Sequence, residues 1–195
     1  MKPPNVTLDN MCIIDLEQNR EDAPQIRRLA EIHRNKEINL RVVAASASEL
    51  KLDKATHPRH IDEFRQRITS TELGDVSILP TLFYSGVSFP DYCLLGHRWL
   101  NQLDKEIHAV LFSEDEVEYS SFCRKYGYNE GAKEEWNEWV RRKCDVLTLW
   151  SHIWYDGDIF VTRDNNFLRT KRPRLIELGA RKIMKPTEAV KMLDC

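Results

Sequence analysis

INLRVVAASASEL, residues 38–50, is the stretch on which the reading of the fold turns. A short apolar run passes into small residues, and the first acid beyond them is Glu49. Short continuous apolar runs of this kind read as strands buried on both faces of a sheet. Two other runs share the arrangement: MCIID, residues 11–15, closes on Asp15, and DIFVTRD, residues 158–164, closes on Asp164. Between the first two lies APQIRRLAEIHRN, residues 23–35, with Ile26, Leu29, Ala30 and His33 at helical spacing, Asp22 placed to cap it and Pro24 in its first turn. A strand at Met11–Ile14, this helix, and a strand at Asn39–Ala45 make the opening of an α/β fold with a parallel sheet.

Length and composition fit one domain over residues 1–195. With 42% apolar and 31% charged residues the chain has the makeup of a protein with a packed core, not of a disordered or fibrous one. No run of eighteen apolar residues offers a membrane span. MKPPNVTLDN, residues 1–10, has no apolar signal region and reads as a loose arm. A net charge of −2 does not advertise nucleic acid, although RRK at 141–143 and TRDNNFLRTKRPR at 162–174 are locally basic. Either basic patch alone reads as a solvated helix face. Five cysteines without a CxxC motif read as a reducing compartment, and a cytoplasmic location is expected. HPRH at 57–60 is too little for a zinc site.

Further along, residues 46–52 read as a helix start, 57–68 as a helix and Val76–Leu79 as a strand. Residues 97–112 follow as a helix, and the next helix is expected to be capped by Ser113 with Glu116 and to stop near Gly127. A long helix runs from Lys133 to Tyr155, its tryptophans at core spacing. A strand at Ile159–Thr162, a short helix at Arg174–Leu178 ended by Gly179, a strand in RKIM and a helix opened by Pro186 complete the chain.

Ligands of open α/β sheets bind beyond the C-terminal strand ends. Asp15, Glu49 and Asp164 then share one edge, and Asp145, flanked on its helix face by Arg141, Thr148 and His152, joins them. Converging carboxylates repel unless some are protonated or a cation sits among them, and oxygen ligands select Mg2+ or Mn2+. Each acid also has a plainer role: an Asx turn at Asp15, a helix first turn at Glu49, a pair with Arg141 at Asp145, an N-cap at Asp164.

The order of these acids resembles the PIN-domain family of metal-dependent nucleases: a first strand ending in Asp15, a middle acid at Glu49, a third acid at Asp145 within DVLTLWSHIW, and Thr162–Arg163–Asp164 within VTRDNNF. KIMKPTEAVKML is similar to the family's last strand and helix. The resemblance covers residues 11–53 and 132–193. It implies a three-layer αβα PIN-like fold with a central, mostly parallel sheet and an elaborated helical middle region, 54–130, as a family-variable insertion. It implies an endoribonuclease-like hydrolase that cleaves single-stranded RNA in preference to DNA. Asp15, Glu49, Asp145 and Asp164 are implied to be catalytic metal ligands for Mg2+ or Mn2+, with Thr162 positioning Asp164 or a water. Arg163, Arg169, Lys171, Arg172 and Arg174 are expected to guide phosphate, with Glu17 and Asp158 as reserve acids and Asp158 at the opposite edge. A homodimer and a regulatory protein partner are further expectations of the resemblance.

The alternative function is a PIN-like interaction module with weak or absent catalysis, favoured by DLEQN after the first acid, where family members carry a small or hydroxyl residue and then Asn. A Rossmann-type nucleotide domain needs a glycine-rich loop after the first strand, and DLEQNREDAPQ has none. No GxSxG elbow supports a serine hydrolase.

Overall fold

The structure is a computed structural model and describes residues 2–49, 60–96, 100–129 and 133–194. Along the chain these form β1 (Asn5–Leu8), α1 (Asn10–Glu17), α2 (Ala23–Arg34), β2 (Asn39–Val43) and a 3-10 turn (Ala44–Ala47). Then come α3 (Ile61–Thr69), β3 (Ser77–Leu79), β4 (Thr81–Leu82), β5 (Cys93–Leu94), α4 (Leu100–Leu111), α5 (Tyr119–Tyr126) and α6 (Lys133–Trp154). The chain closes with β6 (Ile159–Val161), α7 (Asn165–Leu168), α8 (Arg172–Leu175), β7 (Lys182–Met184) and α9 (Pro186–Leu193).

Five strands pair in the order β3-β2-β1-β6-β7, every pair parallel. Alternation along the strands divides the core in two. Val6, Leu8, Leu40, Val42, Ile159 and Val161 pack with α1, α2 and α3 side chains such as Ile13, Ile26 and Phe64. Val43, Phe160 and Ile183 pack on the other face with Ile107, Leu147 and Trp150 from α4 and α6. The result is a three-layer α/β architecture.

The central strand is not where the apolar run lies. Met11–Ile14 is helical, inside α1, and the strand is Asn5–Leu8, within the segment read as a loose arm. Four consecutive apolar residues suit a buried helical turn as well as a strand. Here Cys12, Ile13, Ile14 and Leu16 are all buried, under the sheet and beside α2. β1 is half polar, and its polar side chains are matched by distant partners. The Asn5 amide donates to the Asp156 carbonyl at 2.9 Å, and Thr7 Oγ1 meets His152 Nδ1 at 3.0 Å.

Ser113 does not cap a helix. α5 begins at Tyr119 with Glu118 in the cap position, because Asp115 is drawn to Arg142 of α6 and holds the intervening turn there. Gly127 ends α5 in the left-handed region at φ 68°, as its sequence position suggests. The chain after β2 makes the short 3-10 turn, and residues 50–52 of the expected helix start lie outside the described residues. Segment 54–130 contributes α3, α4 and α5, and it also supplies β3 of the central sheet and the parallel β4–β5 pair. Residues 54–59, 97–99 and 130 of that segment lie outside the described residues.

At the N-terminal edge of the sheet, Asp158 accepts the Asn5 N–H at 2.8 Å and pairs with Arg181. There Gly157 is required by crowding: a Cβ on it would lie 2.1 Å from His152 Nδ1. Among the described residues no helix is long and apolar enough to cross a membrane.

Candidate functional site

The C-terminal strand ends lie together because all five strands run the same way. Leu8 of β1 is in register with Val161 of β6, which sets the next residues, Asp9 and Thr162, side by side. The Asp9 N–H donates to the Val161 carbonyl at 3.0 Å, and the Thr162 N–H to the Met184 carbonyl at 3.0 Å. Asp9 is 3% exposed. It caps α1 by accepting the Asn10 N–H at 2.7 Å on Oδ1, and it accepts the Thr162 hydroxyl at 2.6 Å on Oδ2. Burial pushes its carboxyl up to about 6, against the pull of Thr162 and the Asn10 N–H; Asp164 and Asp15 push it further.

Asn10, also buried, donates its amide to Glu49 Oε2, leaving its own Oδ1 without a partner. Glu49 is raised to about 8, by burial first and then by Asp9, while Asn10, Arg67 and Arg141 pull it down. Asp145, midway along α6, is raised well above the usual carboxylate range by burial and by Glu49, Asp9 and Asp164, with Lys171 opposing. Asp164 caps α7, accepting the Asn166 N–H at 2.8 Å, while its own N–H donates to Thr162 Oγ1 at 3.0 Å. Thr162 is wholly buried and so ties Asp9 and Asp164 to one hydroxyl.

Glu49, Asp145, Asp164 and Thr162 thus meet at one edge, but with Asp9 where Asp15 was expected. Asp15 lies in α1, its carboxylate fully buried and matched to Arg20 at 3.4 Å and Arg163 at 3.2 Å. Burial raises it, and the two arginines oppose that shift. The misplaced strand explains the misplaced acid. The overlooked signal is Asp9–Asn10 directly after VTL: a β-branched pair followed by a residue suited to capping a helix.

The reserve acids stand apart. Glu17 is exposed and pairs with Arg67 at 2.5 Å. Asp158 sits at the opposite sheet edge; burial pushes it up, but the Asn5 N–H and Arg181 hold it below its ordinary range. Of the basic residues, Lys171 reaches the Leu111 carbonyl and Asn166, Arg163 is committed to Asp15, and Arg169 and Arg174 are exposed.

The donors at the strand ends are oxygen throughout: carboxylates plus the orphaned Asn10 carbonyl oxygen. That set suits a hard divalent cation. The carboxyls of Asp9, Glu49 and Asp145 are raised first by burial and then by neighbouring acids, and a cation among them would oppose both. Among the described residues, no three His, Cys, Asp or Glu side chains form a ready-made metal cage. No protein-family model, curated protein or solved structure matches this chain.

Proposed function

We propose that the chain is a PIN-like, divalent-metal-dependent nuclease that hydrolyses phosphodiester bonds, with single-stranded RNA preferred over DNA. The observation that carries this reading is the convergence of Asp9, Glu49, Asp145 and Asp164 at the edge of a parallel sheet where ligands bind, joined through Thr162 and Asn10, beside the unpartnered Asn10 Oδ1. Asp9, Glu49, Asp145 and Asp164 would hold Mg2+ or Mn2+. When bound, such a cation supplies charge against the developing negative charge on phosphate and makes water more acidic. Thr162 fixes Asp9 and Asp164 relative to each other. Lys171 and Arg141, whose charges are felt at Asp145 and Glu49, attract the phosphate backbone. The preference for RNA rests on the family resemblance.

The test is cleavage of end-labelled single-stranded RNA with Mg2+, Mn2+ or EDTA, beside Asp9→Asn and Asp164→Asn. Loss of cleavage with EDTA and with both variants supports the reading. A second reading, an interaction module on the same fold without useful catalysis, draws its support from the sequence, where DLEQN follows Asp15 and the middle region is elaborated. Folded protein that neither cleaves nor binds divalent metal selects it.

A further inference from the structure

On the face of α6 turned away from Asp145, the chain builds a second concavity of about 460 Å3. Helix geometry sets the two apart: Trp136, Trp139 and Lys143 fall on one side of α6, Arg141 and Asp145 on the other. Half of the lining is aromatic, and the rest, Ser85 and Asn101 included, is polar or charged. Trp139, 3% exposed, lies within 6.0 Å of the Tyr84 ring and 5.6 Å of the Tyr119 ring; Tyr119 meets Trp136 edge-on at 4.8 Å. Gly86, at φ 74°, lets the loop after β4 lie against Trp136, where a Cβ would approach the indole to 2.8 Å. Asp104 and Glu118 supply carboxylates, and Lys105 stands exposed beside them.

The sequence that builds this concavity is net acidic. Residues 101–143, which include Lys143, carry ten acids against seven bases, a net charge of −3, in a chain whose total is −2. Phosphate is repelled from such a surface and cations are drawn to it. An ammonium already rests on the same wall: Lys143 Nζ sits 3.6 Å from the Tyr84 ring centroid and 2.8 Å from Asp104. That pair already takes up the buried carboxylate of the wall. Both Asp104 oxygens receive Lys143, and Glu118 Oε1 accepts the Tyr84 hydroxyl at 3.2 Å. A primary ammonium brings three N–H donors that need acceptors, whereas a quaternary ammonium brings none and is weakly hydrated.

We propose that the concavity between Tyr84, Tyr119, Trp136 and Glu118 is a binding site for a methylated ammonium group, carried by a choline-like small molecule or a trimethylated lysine side chain. The site is independent of the acidic strand-end cluster and of its proposed activity.

The experiment is a calorimetric and tryptophan-fluorescence titration of the full chain with tetramethylammonium, choline, the neutral carbon isostere of choline, and a peptide bearing trimethyl-lysine or unmodified lysine. The expected result is saturable binding of the methylated cations, with the neutral isostere and the unmodified lysine about tenfold weaker or worse. A trimethyl-lysine peptide binding more tightly than choline marks a protein ligand; equal affinities mark a small molecule. Glu118→Gln, at an exposed position, weakens binding about three- to tenfold, and Lys105→Ala tightens it by removing a like charge. Trp136→Ala abolishes it, with circular dichroism as the check on folding; should that variant unfold, the other two decide. Equal binding of choline and its neutral isostere overturns the proposal, as does failure of every methylated cation to saturate.

Discussion

The Thr162 hydroxyl donates to Asp9 at 2.6 Å and accepts the Asp164 N–H at 3.0 Å, so two acids 155 positions apart are fixed by one buried oxygen. Thr162→Val keeps the shape and removes the donor. Asp9 then loses the bond that opposes its burial, and its carboxyl rises above about 6. Mn2+ affinity and cleavage should fall about ten- to a hundredfold, as for other residues that orient a ligand. Thr162→Ser should restore most of the loss. A valine variant with unchanged Mn2+ affinity would remove this hydroxyl from the site.

Asp9 and Asp15 can be separated directly. Asp9→Asn should reduce cleavage at least about a hundredfold, since it removes a charge aimed at the reacting group. Asp15→Asn leaves the strand-end set intact and should stay within about tenfold of the parent, with some loss of stability from Arg20 and Arg163 left unmatched. Kinetics on both variants, with melting curves, checks the assignment; the reverse ranking would restore Asp15 to the site.

The acidic edge makes metal-free stability depend on pH. The folded-state carboxyl of Glu49, at about 8, lies above its ordinary value of 4.5, so its contribution is full below 4.5 and is lost as pH rises through 8. Asp9 acts likewise between 3.8 and about 6. His152, pushed by burial to about 4, works the other way below 6.5, where charging it costs stability. Between about pH 6.5 and 8 Glu49 acts without that opposition. In EDTA the melting temperature should fall across this window. Mg2+ should flatten the fall by binding the folded state, and Glu49→Gln should reduce it. A rise in melting temperature over the same window in EDTA would contradict the raised carboxyls.

Lys143 and Asp104 are 1% and 2% exposed, and they pair inside the second core. Lys143→Met strands the Asp104 charge and should cost about 3–5 kcal/mol in urea unfolding. Pairing it with Asp104→Leu should recover most of that, because two well-packed apolar groups can replace a buried ion pair. Additive losses in the double variant would show that the ion pair is itself the source of stability.

Much of this molecule is legible locally. Asn39–Val43 and Ile159–Val161 are short apolar runs because both faces of their sheet are covered, and α6 carries Trp139 and Trp150 at core spacing. Pro186 and Gly127 mark helix ends through the conformations they permit. β1 is not legible in this way. Its Asn5 and Thr7 belong in a buried strand only because Asp156 and His152, some 150 residues on, accept them. With β1 hidden, the apolar Met11–Ile14 attracted the strand assignment, and Asp15 the strand-end position that Asp9 takes. Glu49, Asp145 and Asp164 were legible because each follows or faces an element with a clear period. Their coupling through Asn10 and Thr162 is tertiary and leaves no local trace.

The parallel order β2-β1-β6 has a consequence for the timing of synthesis. β1 is made some 150 residues before β6, the partner that ends at Val161. Asp9 and Glu49 leave the ribosome about a hundred residues ahead of Asp145 and Asp164. Contacts of such long sequence separation form late and slowly. The nascent chain therefore carries only half of its acidic edge until Asp145 and Asp164 have been made.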